Sequence, residues 1–410
     1  MTTNSPSVAV VGGGLGGMAT SVALTRLGFD VEVFEQAPAW GEVGAGINIS
    51  SNATKALIGM GLGPQLEAVG DRLGGQSMRS LTTNELLSET ILTGDPAVAR
   101  RFTAPYYVFH RADLIGLLAE AAGPIHLEHR LASLEEHDDG ATLEFTNGLR
   151  RRFDVVIAGD GIHSTIRRQL YGDDEPVYTG QTAWRAMIDG TEFPPDILGP
   201  LGFTGWMGKG AHIMVYHLRG GSLINMTGQA DSATWTEEGW SIPADPDSMR
   251  EVFTGANPIL ESLLARITTA SKWGLFGRMP SNNWGRGRVQ LIGDAAHPML
   301  PNAGQGAGSS FEDAYILSRW LDAKRDDPTA ALAAFRDIRI PRAHAVQRQT
   351  LMNTKLVHSG DWEARQAAFK ARESTGDTPL GLGWIYDYEP AEEWDQRVVY
   401  PLSFDEEAVS

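Results

Sequence analysis

The chain has 410 residues, enough for two to three domains and for a large core that needs no covalent staple. Its 51 acidic and 34 basic residues give a formal charge of −17, which sets aside nucleic-acid backbones and anionic membrane surfaces as main partners and requires any acidic ligand to meet a local positive site. With no cysteine, disulfides, thiolate metal sites, iron–sulfur clusters and cysteine nucleophiles are excluded.

The N-terminus moves from Met-Thr-Thr-Asn-Ser-Pro-Ser into Val8-Ala-Val-Val without the basic region and apolar stretch of a secretory signal. No run approaches the roughly 18 apolar residues of a membrane span, so the expectation is a cytoplasmic protein with no membrane partner. Residues 7–11 read as a strand, Met18 to Leu27 as a helix and Asp30 to Glu35 as a strand. Residues 41–70 mix glycine with a helical pattern (Ala53, Leu57, Met60), and 110–122 predict a helix. A strand pair is expected at 125–131 and 141–146, then a buried strand Asp154-Val-Val-Ile-Ala158 ending in Gly159-Asp160-Gly161, and a helix over Ser164 to Leu170. From about 176 to 275 alternating, Trp- and Gly-rich segments predict a mainly antiparallel sheet inserted between two halves of the first unit. Parallel-sheet character returns at Arg288 to Asp294, followed by helices over Phe311 to Leu321 and from Thr329 to about 357 with Pro341 inside. The tail from 377 reads as a loosely packed cap, with Glu389, Glu392 and Glu393 on a solvated face. The chain shows no internal repeat and no low-complexity tract.

Three glycine-containing turns carry chemistry. The 47 glycines exceed the roughly 29 expected from average usage, and the excess clusters near the N-terminus and at 285–308. Gly12-Gly13-Gly14-Leu15-Gly16-Gly17 fits G-x-G-x-x-G between a strand and a helix, with Glu35 closing the next strand 23 residues after Gly12. Such a turn lets a pyrophosphate approach the helix-start N–H groups while the acid accepts ribose hydroxyls; it also serves plain strand–helix connections. Asp160-Gly161, with Ser164 and Arg167, reads either as a ligand contact or as an ordinary helix N-cap. Gly293-Asp294-Ala-Ala-His297-Pro298, continuing through Pro301 to Gly304-Gln305-Gly306-Ala307-Gly308 and Glu312-Asp313, would set a carboxylate on a hydroxyl chain and helix-start N–H groups on an anionic ring edge. Its plain alternative is another strand–turn–helix connection.

These three motifs in this order resemble the class A flavoprotein monooxygenases of p-hydroxybenzoate hydroxylase fold. The likeness covers residues 7 to about 350 and extends to Phe109-His-Arg111-Ala-Asp-Leu, Thr182-Ala-Trp184-Arg185 and Gly383-Trp-Ile-Tyr386. Within the family the chain is most similar to the salicylate hydroxylase, 3-hydroxybenzoate 6-hydroxylase and 6-hydroxynicotinate 3-monooxygenase branch, through Gly44-Ala-Gly-Ile47 and Ala296-His-Pro298. The resemblance implies an α/β fold with an FAD-binding, Rossmann-like doubly wound parallel sheet. The domains would be 1–175 with 276–350 for FAD, 176–275 for substrate, and 351–410 as a C-terminal helical cap and tail. It implies non-covalent FAD, NAD(P)H as co-substrate, O2 and a small aromatic acid as partners, and no metal. The reaction the resemblance implies is reduction of the flavin by NAD(P)H, addition of oxygen at C4a, and hydroxylation by the hydroperoxide of an electron-rich ring carbon of a hydroxy-substituted aromatic or heteroaromatic carboxylate, in some members with decarboxylation. A homodimer is the default assembly.

By the same resemblance Gly12, Gly14, Leu15 and Gly17 would line the FAD pyrophosphate, with Glu35 on the adenosine ribose and Gln36 beside it. Arg111 would reach the ribityl and phosphate region, the Leu131 backbone the adenine, Asp294 the ribityl chain, and Gly304, Gln305, Gly306 and Ala307 the pyrimidine edge. Asp160 would serve both FAD and the passing NAD(P)H, and Pro301 would flank the meeting point of oxygen and substrate. Ionisation of the ring hydroxyl needs a proton acceptor. His212 and Tyr216, four apart on an expected strand and so on one face, resemble the substrate-lining pair of the 6-hydroxynicotinate enzyme, with His217 facing away; a satisfied His and a core tyrosine is the other reading. Trp184 and Arg185 could together bracket a substrate carboxylate or simply pack at a domain junction, and Trp206, Trp235, Trp240 and Trp273 read as core or pocket wall. His297 reads as a loop support. The chain departs from the branch at His217, where relatives often carry proline, and at Asn48, where the 6-hydroxynicotinate pattern has histidine. Two alternatives of the same fold are a flavoprotein acting on a larger biosynthetic or non-aromatic substrate and a non-catalytic flavin-free relative; the Trp-x-Trp-x-Ile motif of halogenases is absent.

Overall fold

The apolar run at the N-terminus lies at the middle of a parallel sheet because valines at 8, 10 and 11 and Ala9 are buried on both faces. The computed structural model describes residues 5–39, 45–93, 101–235, 242–374 and 377–400; Gly44 and Trp240 lie outside them. In chain order, β1 (Ser7–Val11), α1 (Leu15–Arg26) and β2 (Asp30–Phe34) are followed by β3 (Gly46–Ile49), α2 (Ser51–Gly59), α3 (Gly63–Val69), β4 (Asp71–Arg72), β5 (Gly75–Ser80) and β6 (Leu86–Ile91). Then come β7 (Tyr107–His110), α4 (Arg111–Ala121), β8 (Ile125–His126), β9 (Leu131–His137), β10 (Gly140–Phe145), β11 (Arg150–Phe153), β12 (Val155–Ala158) and α5 (Thr165–Tyr171). The middle of the chain holds β13 (Val177–Asp189), β14 (Phe203–Met207), β15 (Ala211–Leu218), β16 (Leu223–Asp231), β17 (Ile242–Ala244), α6 (Pro246–Val252), α7 (Pro258–Leu264) and β18 (Ala270–Gly277). Last are β19 (Gly285–Arg286), β20 (Val289–Leu291), α8 (Gly306–Ala323), α9 (Pro328–His358), α10 (Trp362–Ser374), α11 (Gly383–Tyr386) and α12 (Pro390–Glu393).

Two large sheets organise these elements. The first has the order β19-β20-β12-β1-β2-β8 and is parallel apart from the β19–β20 hairpin. Helix α1 is buried almost all round, from Leu15 to Leu24, because it is sandwiched between this sheet and α8. The second has the order β17-β18-β13-β16-β15-β14-β5-β6 and is antiparallel except where β5 runs parallel to β14. Alternation along its strands sends Trp184, Ile213, Val215, Ile224 and Met226 to an outer core closed by α6 and α7. The opposite, inner face meets the first sheet's half of the molecule, with Tyr216 and Met207 packed among Ala303, Val346 and Val357. Among the described residues no helix is long and apolar enough to cross a membrane.

Four expectations are corrected. The segment expected as one strand at 125–131 is split: β8 adds to the parallel sheet beside β2, and β9 rather than 125–131 pairs with β10. The break falls at Glu128, whose φ of 58° is incompatible with a continuing strand. The inserted sheet is not confined to 176–275, since β5 and β6 extend it by two strands. The tail is not loosely packed over its described part: Leu380, Leu382, Ile385, Tyr386 and Tyr388 are buried. Nor is Glu389 only solvated, because it pairs with Lys55 at 2.6 Å.

Candidate active site

The first turn of α1 is shaped by close approaches. Gly12 has φ +104° and a Cβ there would stand 2.3 Å from the Gly159 carbonyl oxygen, while a Cβ on Gly17 would stand 2.0 Å from that of Gly12. Gly14 differs: a Cβ there would meet nothing within 4 Å. Helix α1 starts at Gly14 with no side-chain cap and no acid in its first turn, and α8 starts at Gln305 in the same state. The two first turns lie side by side, since a Cβ on Gly16 would touch Ser310 at 3.0 Å. Adjacent uncapped helix starts with open space in front offer N–H donors and aligned dipoles to one anion. Leu15 is buried behind this turn, and Ala307 lies half-buried in the first turn of α8.

Glu35 accepts from the Gly13 N–H at 2.6 Å and the Ala37 N–H at 2.8 Å, so its carboxylate braces the glycine turn. The Glu35 backbone in turn ties to His126 and His129, which brings the segment leading to Leu131 alongside Glu35 and the exposed Gln36. The Asp160 carboxylate accepts from Ser164 Oγ at 2.6 Å and from the Ile166 N–H at 3.2 Å, so it supports the helix start that Ser164 caps by accepting from the Arg167 N–H. Burial pushes the carboxylate's pKa up.

Asp294 opens to solvent although protein surrounds it. Burial pushes its carboxyl up, and His297 and Arg111 pull it back; Arg111, half-buried itself, is lowered by burial and raised by Asp294. The turn carrying Asp294 is held from behind by Asp313, which accepts from the Gly293 N–H at 2.9 Å, His297 Nε2 at 2.6 Å and Arg339 Nε at 2.9 Å. Glu312 accepts from Arg339 Nη1, Arg342 Nε and Asn52 Nδ2, each at 2.7 Å. Asn52 also donates to Gln305 Oε1 at 3.1 Å, and Gln305 donates to Ser50 Oγ at 2.9 Å. One buried ionic network thus fixes both the 293–297 and the 304–307 turns. Its acidic half stood in the quoted Glu312-Asp313 motif; the signal that could have found its other half was a pair of arginines, Arg339 and Arg342, three apart on a helix.

The donors, the open volume at Gly14 and the exposed Asp294 fit a flavin dinucleotide, with the helix starts for phosphate and Asp294 for the hydroxyl chain. A Cβ on Gly306 would likewise meet nothing within 4 Å. Pro301 is exposed between Leu300, which packs with Ala183, Trp273 and Leu275 of the inner sheet face, and Ala303, which packs near Tyr216.

On the inner face Arg185, Thr227 and Met214 stand in one row, flanked by Gln229 and His212 on one side and Asn225 and Tyr216 on the other. His212 and Tyr216 share this face, and burial holds the His212 imidazole well below its usual pKa, helped by His358 and Arg365. Tyr216 stacks on Phe203 with centroids 5.3 Å apart and stays a neutral phenol, because burial raises its pKa. Its hydroxyl lies against Gly46, where a Cβ would be 2.5 Å away. The pairing of Trp184 with Arg185 around one ligand is overturned: adjacent strand residues point oppositely, so Trp184 enters the outer core and donates to Ser248 Oγ at 3.3 Å. Arg185 instead lies over Trp273, 4.4 Å from the ring centroid, and burial lowers its pKa to about 10, with Tyr216 opposing and Arg111 assisting that shift. Sequence reasoning missed His358, 146 residues from His212, and Asp231, 127 residues from His358, which join His212 in one line of contacts.

Residues 5–350 match the FAD binding domain family model. The chain is 34% identical over 390 residues to a 3-amino-4-hydroxybenzoate 2-monooxygenase of Streptomyces platensis, covering 95% of this chain and 97% of the relative. It is 34% identical over 360 residues to a 6-hydroxynicotinate 3-monooxygenase of Bordetella bronchiseptica, covering 86% and 92%. A salicylate hydroxylase solved as a substrate complex superposes with a TM-score of 0.81 at 27% identity, covering 98% of this chain and all of that one.

Proposed function

Because this chain belongs to the FAD-binding-domain family of flavoprotein monooxygenases, we propose that it hydroxylates a small aromatic or heteroaromatic ring bearing a carboxylate and a hydroxyl or amino group, with NAD(P)H and O2 as co-substrates. That the protein is an FAD-dependent monooxygenase follows from the family; the ring acid is the reading of its site. The observation that carries it is Arg185, a half-buried cation on the inner sheet face of a chain whose net charge is −17. A guanidinium partly stripped of water gains most from an anion that presents two oxygens in one plane, and the Trp273 ring beneath it offers a platform for a flat ligand.

The bound flavin supplies electron transfer from NAD(P)H and activation of dioxygen. The protein does the rest. The uncapped starts of α1 and α8 bind the phosphate and ring-edge charge, and Gly12, Gly14, Leu15, Gly17, Glu35, Gln36, Leu131, Arg111, Asp160, Asp294 and Gly304 to Ala307 are assigned to the cofactor. Arg185 orients the ring acid, Leu300 and Trp273 exclude water, and Pro301 lies between the two halves of the site. His212, neutral at physiological pH because it is buried, accepts the ring hydroxyl's proton, and Tyr216 hydrogen-bonds the ring substituent. A deprotonated hydroxyl activates its ortho and para carbons far more than a protonated one. Within this scheme residues 1–175 and 276–350 bind FAD, the second sheet with β5 and β6 binds substrate, and the segment from 351 closes the site.

The test is oxidation of NADH and NADPH by the purified flavoprotein in air, with 3-hydroxybenzoate, salicylate, 3-amino-4-hydroxybenzoate and 6-hydroxynicotinate, and products identified by mass. A ring acid that stimulates oxidation and gains one oxygen is the expected result. Stimulation by none of them, with flavin bound, removes the small ring acid as the substrate class.

A further inference from the structure

Asp231, His358 and His212 form an unbroken hydrogen-bonded chain from solvent to the inner sheet face. Asp231 Oδ1 lies 2.5 Å from His358 Nδ1, and His358 Nε2 lies 2.7 Å from His212 Nδ1. Accessibility falls along it, from 57% for the Asp231 side chain to 6% for His358 and 1% for His212. Three separate elements supply the members: the end of β16, the last residue of α9, and β15. Gln181 Nε2 lies 3.1 Å from Asp231 Oδ1 and 2.9 Å from His358 Nδ1; with Nδ1 protonated, its amide hydrogen goes to the Asp231 carboxylate.

The chemistry of the donors sets the protons. A carboxylate only accepts, so His358 carries its proton on Nδ1; a neutral ring then has a lone pair on Nε2, which accepts from His212 Nδ1. His212 is left with its lone pair on Nε2. We propose that this chain is a proton relay that carries the ring hydroxyl's proton out to solvent, an inference that rests on the ring-acid reading above. The O–H bond of the substrate breaks and an N–H bond forms at His212 Nε2; His212 Nδ1 passes its proton to His358 Nε2; the imidazolium formed there faces Asp231 and releases its Nδ1 proton to water at the surface. No electron changes hands and one proton leaves for each that enters. Without a relay, the proton taken up by a fully buried imidazole would stay as an uncompensated charge.

The charged groups around the relay are few. His212 faces His358 from α9 and Arg365 from α10, and His358 faces Asp231 from β16. Arg365 is itself occupied by the carbonyls of Leu356, Gly208 and Ser359. Asp231 is therefore the one anion of this set, and it stands at the solvent end of the relay.

The experiment uses the FAD-loaded enzyme and Asp231→Asn, Asp231→Glu, His358→Gln and His212→Gln variants. Turnover is followed over pH with 3-hydroxybenzoate, 3-amino-4-hydroxybenzoate and 6-hydroxynicotinate, and binding with 4-hydroxy-3-nitrobenzoate, whose absorbance reports ionisation of its hydroxyl without turnover. Asp231→Asn should lower kcat about 10-fold or more and displace the acid limb of the kcat–pH profile, because the relay loses the carboxylate that receives the proton at its solvent end. Less of the bound nitro compound should be ionised at a given pH, and Asp231→Glu should restore both readouts. His358→Gln should lower kcat to a similar degree with FAD retained. Wild-type kcat and an unmoved acid limb in Asp231→Asn and His358→Gln, beside an impaired His212→Gln, overturn the relay alone. An unimpaired His212→Gln, or no binding of any of these ring acids to the wild-type enzyme, overturns the substrate reading and the relay with it.

Discussion

Replacing Asp313 with asparagine removes the charge at the centre of the buried network while keeping its size. In the wild type this carboxylate meets Arg339, His297 and the Gly293 N–H, all within 2.9 Å, and it is fully buried. An amide at this place must turn an NH2 toward at least one of three donors, and Arg339 keeps only Glu312 as a counter-charge. Breaking a buried pair from one side costs about 3–5 kcal/mol. At roughly 1–2 °C per kcal/mol, the trend expected for a chain of this size, the melting temperature should fall by about 3–10 °C. Because Asp313 supports the turn bearing Asp294, flavin should leave early, so flavin fluorescence released on heating should rise ahead of loss of helical circular dichroism. The wild-type carboxyl, held down to about 2 by His297 and Arg339 against the cost of burial, adds a pH signature. A group whose folded pKa is depressed contributes stability that is complete above its unfolded pKa, near 4, and is lost as pH falls toward 2. Wild-type melting between pH 5 and 3 should therefore steepen relative to Asp313→Asn. Equal melting temperatures and equal flavin retention in the two proteins at pH 7 would refute the reasoning.

Three further outcomes separate the parts of the site. Arg185→Gln should raise KM for the ring acid roughly 30-fold or more, the equivalent of at least about 2 kcal/mol for a desolvated charge pair, while leaving KM for NADH within threefold; steady-state kinetics decide it. Trp184→Phe should leave that KM unchanged and cost about 1–2 kcal/mol of stability in urea unfolding, since the ring packs in the outer core with one bond to Ser248. Gly14→Ala should fold normally, because its Cβ meets no protein atom, yet weaken FAD binding about 10-fold or more by occupying the ligand's space; Gly17→Ala, whose Cβ would strike the Gly12 carbonyl, should fail to fold stably. Titration of the apoproteins with FAD, beside their melting curves, tests both, and normal FAD affinity in Gly14→Ala would remove the pyrophosphate from that turn.

Much of the site was written in short range. A β-strand ending in glycines, the two helices that follow Gly17 and Gly306, and the acid at 35 are local patterns whose geometry depends on neighbours a few residues away, and the structure forms each of them where the pattern stands. The shared face of His212 and Tyr216 follows from the twofold repeat of a strand, and the same repeat separates Trp184 from Arg185, a consequence that strand alternation alone carries. Other features depended on chain segments meeting across long separations. Ser164 proved to be the N-cap of α5, with the Asp160 carboxylate holding its hydroxyl and the Ile166 N–H, and which oxygen faces a helix start is decided by what stands opposite it in space. The recruitment of β5 and β6 into the second sheet rests on one parallel ladder, Ser77 to Ser80 beside Thr204 to Met207, that no local pattern specifies. The tail reads as polar, yet Tyr386 and Tyr388 are buried where Lys55 and Arg342 on other helices offer partners: the carbonyls of Tyr386 and Tyr388 accept from Lys55, and Arg342 stacks on Tyr388 at 3.7 Å. The relay is the extreme case, three residues that become one hydrogen-bonded chain only when the end of a 31-residue helix is laid across the sheet. Backbone periodicity and glycine sterics act within a few residues and are legible in one dimension; charge pairing, capping choice and proton connectivity depend on distances of about 3 Å between distant segments, and only the folded chain sets those.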